Sequence, residues 1–176
     1  MPTADRAAIT LRAADVEDAQ CLSALSIQVW LTTYATRGVS AAIARHVLCE
    51  FSPAHFVALS DAPGVSLWVA ESNSHLVGYA LVNGGEAHVL DGQRTSELCT
   101  LYVQEPFTGK GIGSRLLNAA LDHAGAGHLW LAVNAGNLRA QAFYRKHNFS
   151  VQGTRPFVLD GVGHENHIMV PGLYKE

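Results

Sequence analysis

The segment Val103-Gln104-Glu105-Pro106-Phe107-Thr108-Gly109-Lys110-Gly111-Ile112-Gly113-Ser114 passes from strand to loop to helix within a few residues. An apolar run ends in an acidic-proline turn, three glycines follow at alternate positions, and Ile112, Leu116, Leu117 and Leu121 then repeat with helical spacing. Glycines let a backbone approach a ligand closely, and the first amides of a helix have no carbonyl partner inside it. Such a turn offers donors and a partial positive charge to an anion, most naturally a phosphate or pyrophosphate. Two familiar phosphate loops are excluded by spacing. A P-loop closes on Gly-Lys-Ser/Thr, whereas Lys110 here stands between glycines. A dinucleotide fingerprint needs a third glycine where this chain has Leu116.

Working toward the C-terminus, Leu129–Val133 is a short strand of the buried type, and Asn134-Ala135-Gly136 leads from it into a second helix. Asn137 is a suitable N-cap, and Asn148 can adopt the left-handed conformation that ends a helix. Asn137, Ala140 and Tyr144 fall on one face of that helix, a small residue between two polar ones, which suits the wall of a narrow ligand site.

The pattern from Val103 through Gly109-Lys110-Gly111-Ile112-Gly113-Ser114 to Leu116-Leu117 resembles the acetyl-CoA loop of the GCN5-related N-acetyltransferase (GNAT) superfamily. The later run from Asn137 through Ala140, Phe143-Tyr144 and Lys146 to Phe149 resembles that family's second cofactor segment. The two together span roughly residues 95 to 149, and Ile9–Asp18 is similar to the family's first strand and helix start. Two positions depart from the pattern: Thr108 stands where Gln or Arg is usual, and Asn148-Phe149 replaces Gly-Phe. The first costs a side-chain donor but keeps the backbone amides; the second keeps the helix stop. The resemblance implies acetyl-CoA held by Leu101, Tyr102, Val103, Thr108, Gly109, Lys110, Gly111, Ile112, Gly113, Ser114, Asn137, Ala140, Phe143, Tyr144 and Lys146.

Upstream, Ile9–Arg12 reads as a strand, Asp15 as the cap of a helix over Val16–Tyr34, Ser40 as the cap of one ending near Glu50, and Ser52-Pro53 as the start of a short third. Val65–Glu71 and Leu76–Val82 read as a hairpin, Asn83–Arg94 as a polar loop, Thr95–Val103 as the next strand. Ser150–Gln152 and Glu165–Val170 are the last strands. An early antiparallel meander followed by a strand–helix–strand unit over residues 95 to 133 requires one parallel pair with a right-handed crossover. The fold class is therefore α/β: one domain over residues 1–176, a mixed, mostly antiparallel sheet with helices on both faces. The resemblance adds that the parallel pair splays apart to admit pantetheine.

Composition narrows the setting. At 176 residues and 48% hydrophobic the chain can build a full core. A net charge of −3 argues against a nucleic-acid surface. The three cysteines, Cys21, Cys49 and Cys99, are an odd number at unrelated spacings, which fits reduced thiols. No signal peptide or membrane span is legible, so a cytoplasmic location is expected. The expected partners are a small-molecule amine and at most a second copy of the chain as a homodimer, with no nucleic acid and no membrane.

Acetyl transfer to an amine requires a neutral nucleophile and a proton for the departing thiolate. A lysine-like amine, with a pKa of about 10.4, arrives charged. Glu97 lies on the strand before the loop, at the offset where family members carry a general base. Strand alternation places it with Cys99, Leu101 and Val103, among apolar neighbours. Its alternative role is a carboxylate that hydrogen-bonds nearby backbone, with Glu71 and Glu86 as the next carboxylates to consider. Tyr144 is the general-acid candidate, the alternative being a packing aromatic. Trp30 and Tyr34 either line the acceptor pocket or belong to the core. Cys99 reads as a core thiol, and no metal is expected, because His164 and His167 point to opposite faces of a strand. The leading reading is an acetyl-CoA-dependent N-acetyltransferase acting on a primary amine of a small molecule. Acetylation of a protein N-terminus or lysine, and a non-catalytic acyl-CoA-binding module, are the alternatives. A peptide acceptor needs an open cleft between residues 30–40 and 152–164.

Overall fold

A computed structural model describes residues 8–87, 94–125, 127–159 and 161–172. After β1 (Ile9–Ala13) come three helices, α1 (Ala19–Tyr34), α2 (Ala41–Glu50) and α3 (Pro53–Ser60). The antiparallel run β2 (Val65–Ser72), β3 (His75–Ala87) and β4 (Arg94–Val103) follows. The chain then alternates through α4 (Ile112–Ala124), β5 (Leu129–Asn134) and α5 (Leu138–Lys146), and closes with β6 (Phe149–Leu159) and β7 (Val162–Pro171). Among the described residues one seven-stranded sheet forms in the order β1-β2-β3-β4-β5-β7-β6.

The helix starts follow their local chemistry. Asp15 accepts from the Glu17 amide while the Asp18 carboxylate reaches back to the Asp15 amide, a reciprocal box that sets the entry to α1. Ser40, Ser52 and Asn137 accept from the amides of Ile43, His55 and Ala140. Asn148, at φ 64°, ends α5 in the left-handed region.

The sheet separates two apolar layers. Ile112, Leu116, Leu117 and Ala120 of α4, with Tyr144 of α5, pack on one face against Leu98, Leu129, Leu131 and Met169. Leu22 and Leu25 of α1 and Phe56 of α3 pack on the other against Val69, Tyr79 and Leu81. Burying a side chain of this size contributes about 1.5–3 kcal/mol before entropy is counted.

Three expectations need correction. The polar loop over Asn83–Arg94 is shorter than its composition implies: β3 runs on through Ala87 and β4 starts at Arg94, leaving 88–93 outside the described residues. The segment 152–164 is largely a hairpin, with β6 and β7 paired from Phe149↔Pro171 to Leu159↔Val162. The single-sided alternation of β4 fails because Leu81 faces Thr100 while Val82 faces Leu98, so Cys99 is an extra residue in a β-bulge. Past the bulge Leu101 and Val103 join the α4 layer. Before it Leu98 does so, which turns Glu97 to the opposite face. Cys99 is accordingly exposed rather than a core thiol.

Candidate active site

The parallel contact between β4 and β5 is brief. Only Ser96↔Leu129 and Glu97↔Trp130 pair, after which β4 continues to Val103 and β5 turns to β7. The two strands therefore open into a V with Glu97 and Trp130 at its apex, which is the splay the resemblance implied. A cleft of about 870 Å³ lies along the Leu101–Val103 end of β4, between the glycine loop, α5 and α1; Glu97 and Trp130 are not among its lining residues.

One wall of the cleft is the loop. Gly109 and Gly111 sit at φ 74° and 80°, a region that glycine enters without strain. A β-carbon at either would meet nothing within 4 Å, so the space before this backbone is open. Gly111 is the N-cap of α4, and no side chain caps this helix, in contrast to α2, α3 and α5. Thr108, Gly109, Gly111, Gly113 and Ser114 line the cleft. The Thr108 hydroxyl donates to the Glu105 carbonyl at 2.8 Å, so it serves its own turn. Uncapped amides behind an open glycine backbone fit the pyrophosphate of a coenzyme.

Two predicted loop residues lie elsewhere. Ile112 is fully buried beneath the loop as an anchor of α4. Lys110 is exposed, its ammonium 4.9 Å from the Phe107 ring centroid.

The second wall is α5, from which Asn137, Ala140, Phe143, Tyr144 and Lys146 reach the cleft. This helix is fixed from below by a buried amide that periodicity did not single out. Gln141 donates to the carbonyls of Asn134 and Ala135 and lies 3.2 Å from His167 Nδ1. The two walls are also tied together: Ser114 Oγ lies 2.9 Å from His147 Nε2, and that imidazole stacks on Phe143 at 4.7 Å. Burial and then Lys146 lower the pKa of His147. Tyr144 is buried against Phe143 and Phe149, and burial, with a smaller contribution from Tyr34, raises its phenol pKa. Neutral phenol is thus its form at ordinary pH.

The floor is β4, whose Leu101, Tyr102 and Val103 all line the cleft, and α1 contributes Gln28, Val29, Thr32, Thr33 and Tyr34. Gln104 Nε2 donates to Gln28 Oε1 at 2.5 Å, bridging α1 and β4. Tyr34 was expected at the acceptor pocket and lines the cleft, whereas nothing local marks Gln28, Thr32 and Thr33. Arg139 also lines the cleft and was not singled out. Trp30 does not; it is buried, stacked on Tyr34 at 5.1 Å and His46 at 4.9 Å.

Glu97 stands at the apex with 18% of its side chain exposed. Its neighbour is a cation, not the apolar setting that alternation implied: Arg155 Nη2 lies 3.4 Å from Glu97 Oε1. Glu71, the fallback carboxylate, is committed to Arg12 at 2.7 Å, and the Glu86 side chain lies outside the described residues. Among the described residues no cluster of three or more His, Cys, Asp or Glu side chains could hold a metal. No described helix is long and apolar enough to cross a membrane.

Residues 29–149 match the Acetyltransferase (GNAT) family. An uncharacterized N-acetyltransferase of Mycobacterium bovis is 36% identical over 135 residues, covering 74% of this chain and 82% of that one. The N-alpha-acetyltransferase RimI of Mycobacterium tuberculosis is 37% identical over 87 residues, 49% of this chain and 52% of its own. Among solved structures, a PaiA N-acetyltransferase from Thermoplasma acidophilum in complex with coenzyme A superimposes with a TM-score of 0.75 at 23% identity, covering 93% and 98% of the two chains. The chain belongs to the GNAT family: it is an N-acetyltransferase, and acetyl-CoA is its cofactor.

Proposed function

We propose that the chain, as one catalytic unit, acetylates the primary amine of a small molecule. The observation that carries the choice of a small acceptor is an aromatic bridge over the acceptor side. Trp30 of α1 stacks on His46 of α2, and His46 meets Phe157 of the β6–β7 hairpin edge-on at 6.3 Å. This bridge spans the gap that an extended peptide would need open.

Bound acetyl-CoA supplies the activated thioester. The backbone of Gly109–Ser114 holds its pyrophosphate, with Arg139 and Lys146 adding positive charge along α5. Glu97, at the apex of the strand opening, takes the proton from the incoming ammonium at its carboxylate oxygen. Tyr144 holds a proton at its phenol oxygen on the α5 wall and donates it to the leaving sulfur. Burial supports that role by keeping the phenol neutral. Three exposed cysteine thiols suit a reducing cytoplasm. The similarity to RimI favours a second reading, acetylation of a protein N-terminus.

Calorimetric titration with acetyl-CoA, followed by a panel of small amines and N-terminal peptides assayed by release of free coenzyme thiol, separates these readings. Turnover confined to small amines is expected. Turnover confined to peptides overturns the small-molecule reading, and failure to bind acetyl-CoA overturns the cofactor site.

A further inference from the structure

The apex of the strand opening holds a base candidate and, against it, a guanidinium that acetyl transfer does not require. Arg155 sits on β6, opposite Asn166 of β7, and reaches across to Glu97 on β4. Its Cζ lies 5.6 Å from the ring centroid of the buried Trp130.

Arg155 spends few of its donors on Glu97. A guanidinium offers five N–H donors, and a single contact of 3.4 Å joins it to the carboxylate. Arg12 provides the comparison within this chain. It makes four hydrogen bonds of 2.7–3.2 Å to Asp18 and Glu71, the geometry of an arginine with a structural role. Arg155 keeps 40% of its side chain exposed, with donors to spare at the apex.

Charge then restricts the acceptor. An ammonium that reaches Glu97 also reaches Arg155, so a simple amine or a polyamine brings one cation against another. An acceptor with its own carboxylate removes the conflict, because ammonium to Glu97 and carboxylate to Arg155 alternate the four charges. The contact between Glu97 and Arg155 also limits the spacing, for the two charges of the acceptor must lie about as close together. An α-amino acid carries both on one carbon; a peptide N-terminus does not.

We propose that Arg155 anchors the carboxylate of a free α-amino acid whose amine faces Glu97. Arginine suits this because its planar donors engage a carboxylate in pairs. Phe157 stands two residues further along the same face of β6 and is 39% exposed, offering the acceptor side chain an apolar surface next to the anchor. The proposal rests on the acetyltransferase reading above and narrows its substrate.

The test uses the standard amino acids, their amides and their decarboxylated amines, with spermidine and an N-terminal peptide, each assayed with acetyl-CoA by thiol release. For the preferred side chain, kcat/KM for the free acid should exceed that for its amide by at least about tenfold. Arg155→Met should abolish that ratio by raising KM for the acid alone, and Arg155→Lys should restore part of it. Acetyl-CoA affinity by calorimetry should be the same in all three proteins. The N-acetyl amino acid product should bind the wild-type protein–coenzyme A complex more tightly than the Arg155→Met complex. Equal turnover of acid and amide, preference for spermidine or the peptide, or an unchanged ratio in Arg155→Met overturns the proposal. So does acetyl-CoA binding without turnover or product binding of any amino acid. Loss of acetyl-CoA binding in the wild-type protein overturns instead the reading on which the proposal stands.

Discussion

Burial raises the proton affinity of the Tyr144 phenol because a phenolate between α5 and the sheet has little water to stabilise it, and Tyr34 adds to the effect. The phenol therefore keeps its proton at ordinary pH. Tyr144→Phe preserves the packing against Phe143 and Phe149 and removes only the hydroxyl. Turnover should fall about 10²-fold or more, with acetyl-CoA affinity unchanged by calorimetry, the pattern of a group needed only as the thiolate leaves. Unchanged turnover, where chemistry limits the rate, would reduce Tyr144 to packing. Glu97→Gln keeps shape and loses the proton acceptor, so turnover at neutral pH should fall by about 10²–10⁴. Raising the pH should recover part of the loss, since more of the amine then arrives neutral. A variant fully active across the rate–pH profile would make Glu97 structural. The position of Glu97 was legible as an offset from the glycine loop. Its partner Arg155 was not, because the two are 58 residues apart and meet only once the hairpin crosses the sheet.

At the scale of single elements, the strand–loop–helix unit was readable because its signals are local: alternate glycines, an apolar helical repeat, and Asn137 and Asn148 at the ends of α5. What escaped was set by partners distant in sequence. The bulge at Cys99 exists because β3 and β4 pair out of step there, and no property of Cys99 announces it. The last two strands read as ending at Gln152 and starting at Glu165 because Gly153, Pro156, Gly161 and Gly163 are breakers on paper. Pairing with β7 nonetheless carries β6 through Gly153 and Pro156. The glycine loop itself makes a contrast that can be measured. Gly111 has φ 80°, so Gly111→Val forces the backbone out of its conformation even though the space in front is open. Acetyl-CoA binding should weaken at least tenfold, about 1.4 kcal/mol, by calorimetry. Gly113 has no such constraint, but a β-carbon there would lie 3.4 Å from the Phe143 ring, so Gly113→Val should act by displacing the α5 wall. Thr108→Ala should change affinity little, since that hydroxyl is already given to Glu105. Wild-type affinity in both valine variants would remove the loop from the cofactor site.

Across the whole molecule, titrating groups bound the pH range in which the fold survives. At the acid end Asp18 is held below its ordinary value, first by hydrogen bonds from Arg12, so its contribution is present above about pH 4 and is lost as pH falls through the depressed value. Arg12→Met strands Asp18 and Glu71 without their shared cation. It should cost about 1–3 kcal/mol, less than for a fully buried pair because the guanidinium is partly solvated. The alkaline end belongs to three phenols, Tyr79, Tyr102 and Tyr144, each raised mainly by burial. A group whose folded pKa lies above its unfolded value of about 10 contributes stability that is complete below that pH. Above it the unfolded chain ionises while the folded chain does not, so stability declines by about 1.4 kcal/mol per pH unit for each such tyrosine. Urea unfolding at a series of pH values should therefore show a plateau that gives way to a steep fall above about pH 10. Tyr79 isolates one share of that slope, for it is buried in the α1 layer away from the cleft, with its hydroxyl 2.8 Å from Ser26 Oγ. Tyr79→Phe should lose about 1 kcal/mol at neutral pH from that hydrogen bond. Ser26 keeps its bond to the Leu22 carbonyl, which limits the loss. Above pH 10 the variant should fall less steeply than the wild type, so the two stability curves converge or cross. Parallel curves would mean that Tyr79 ionises with equal ease in the folded and unfolded chains, and that its burial does not set the alkaline limit.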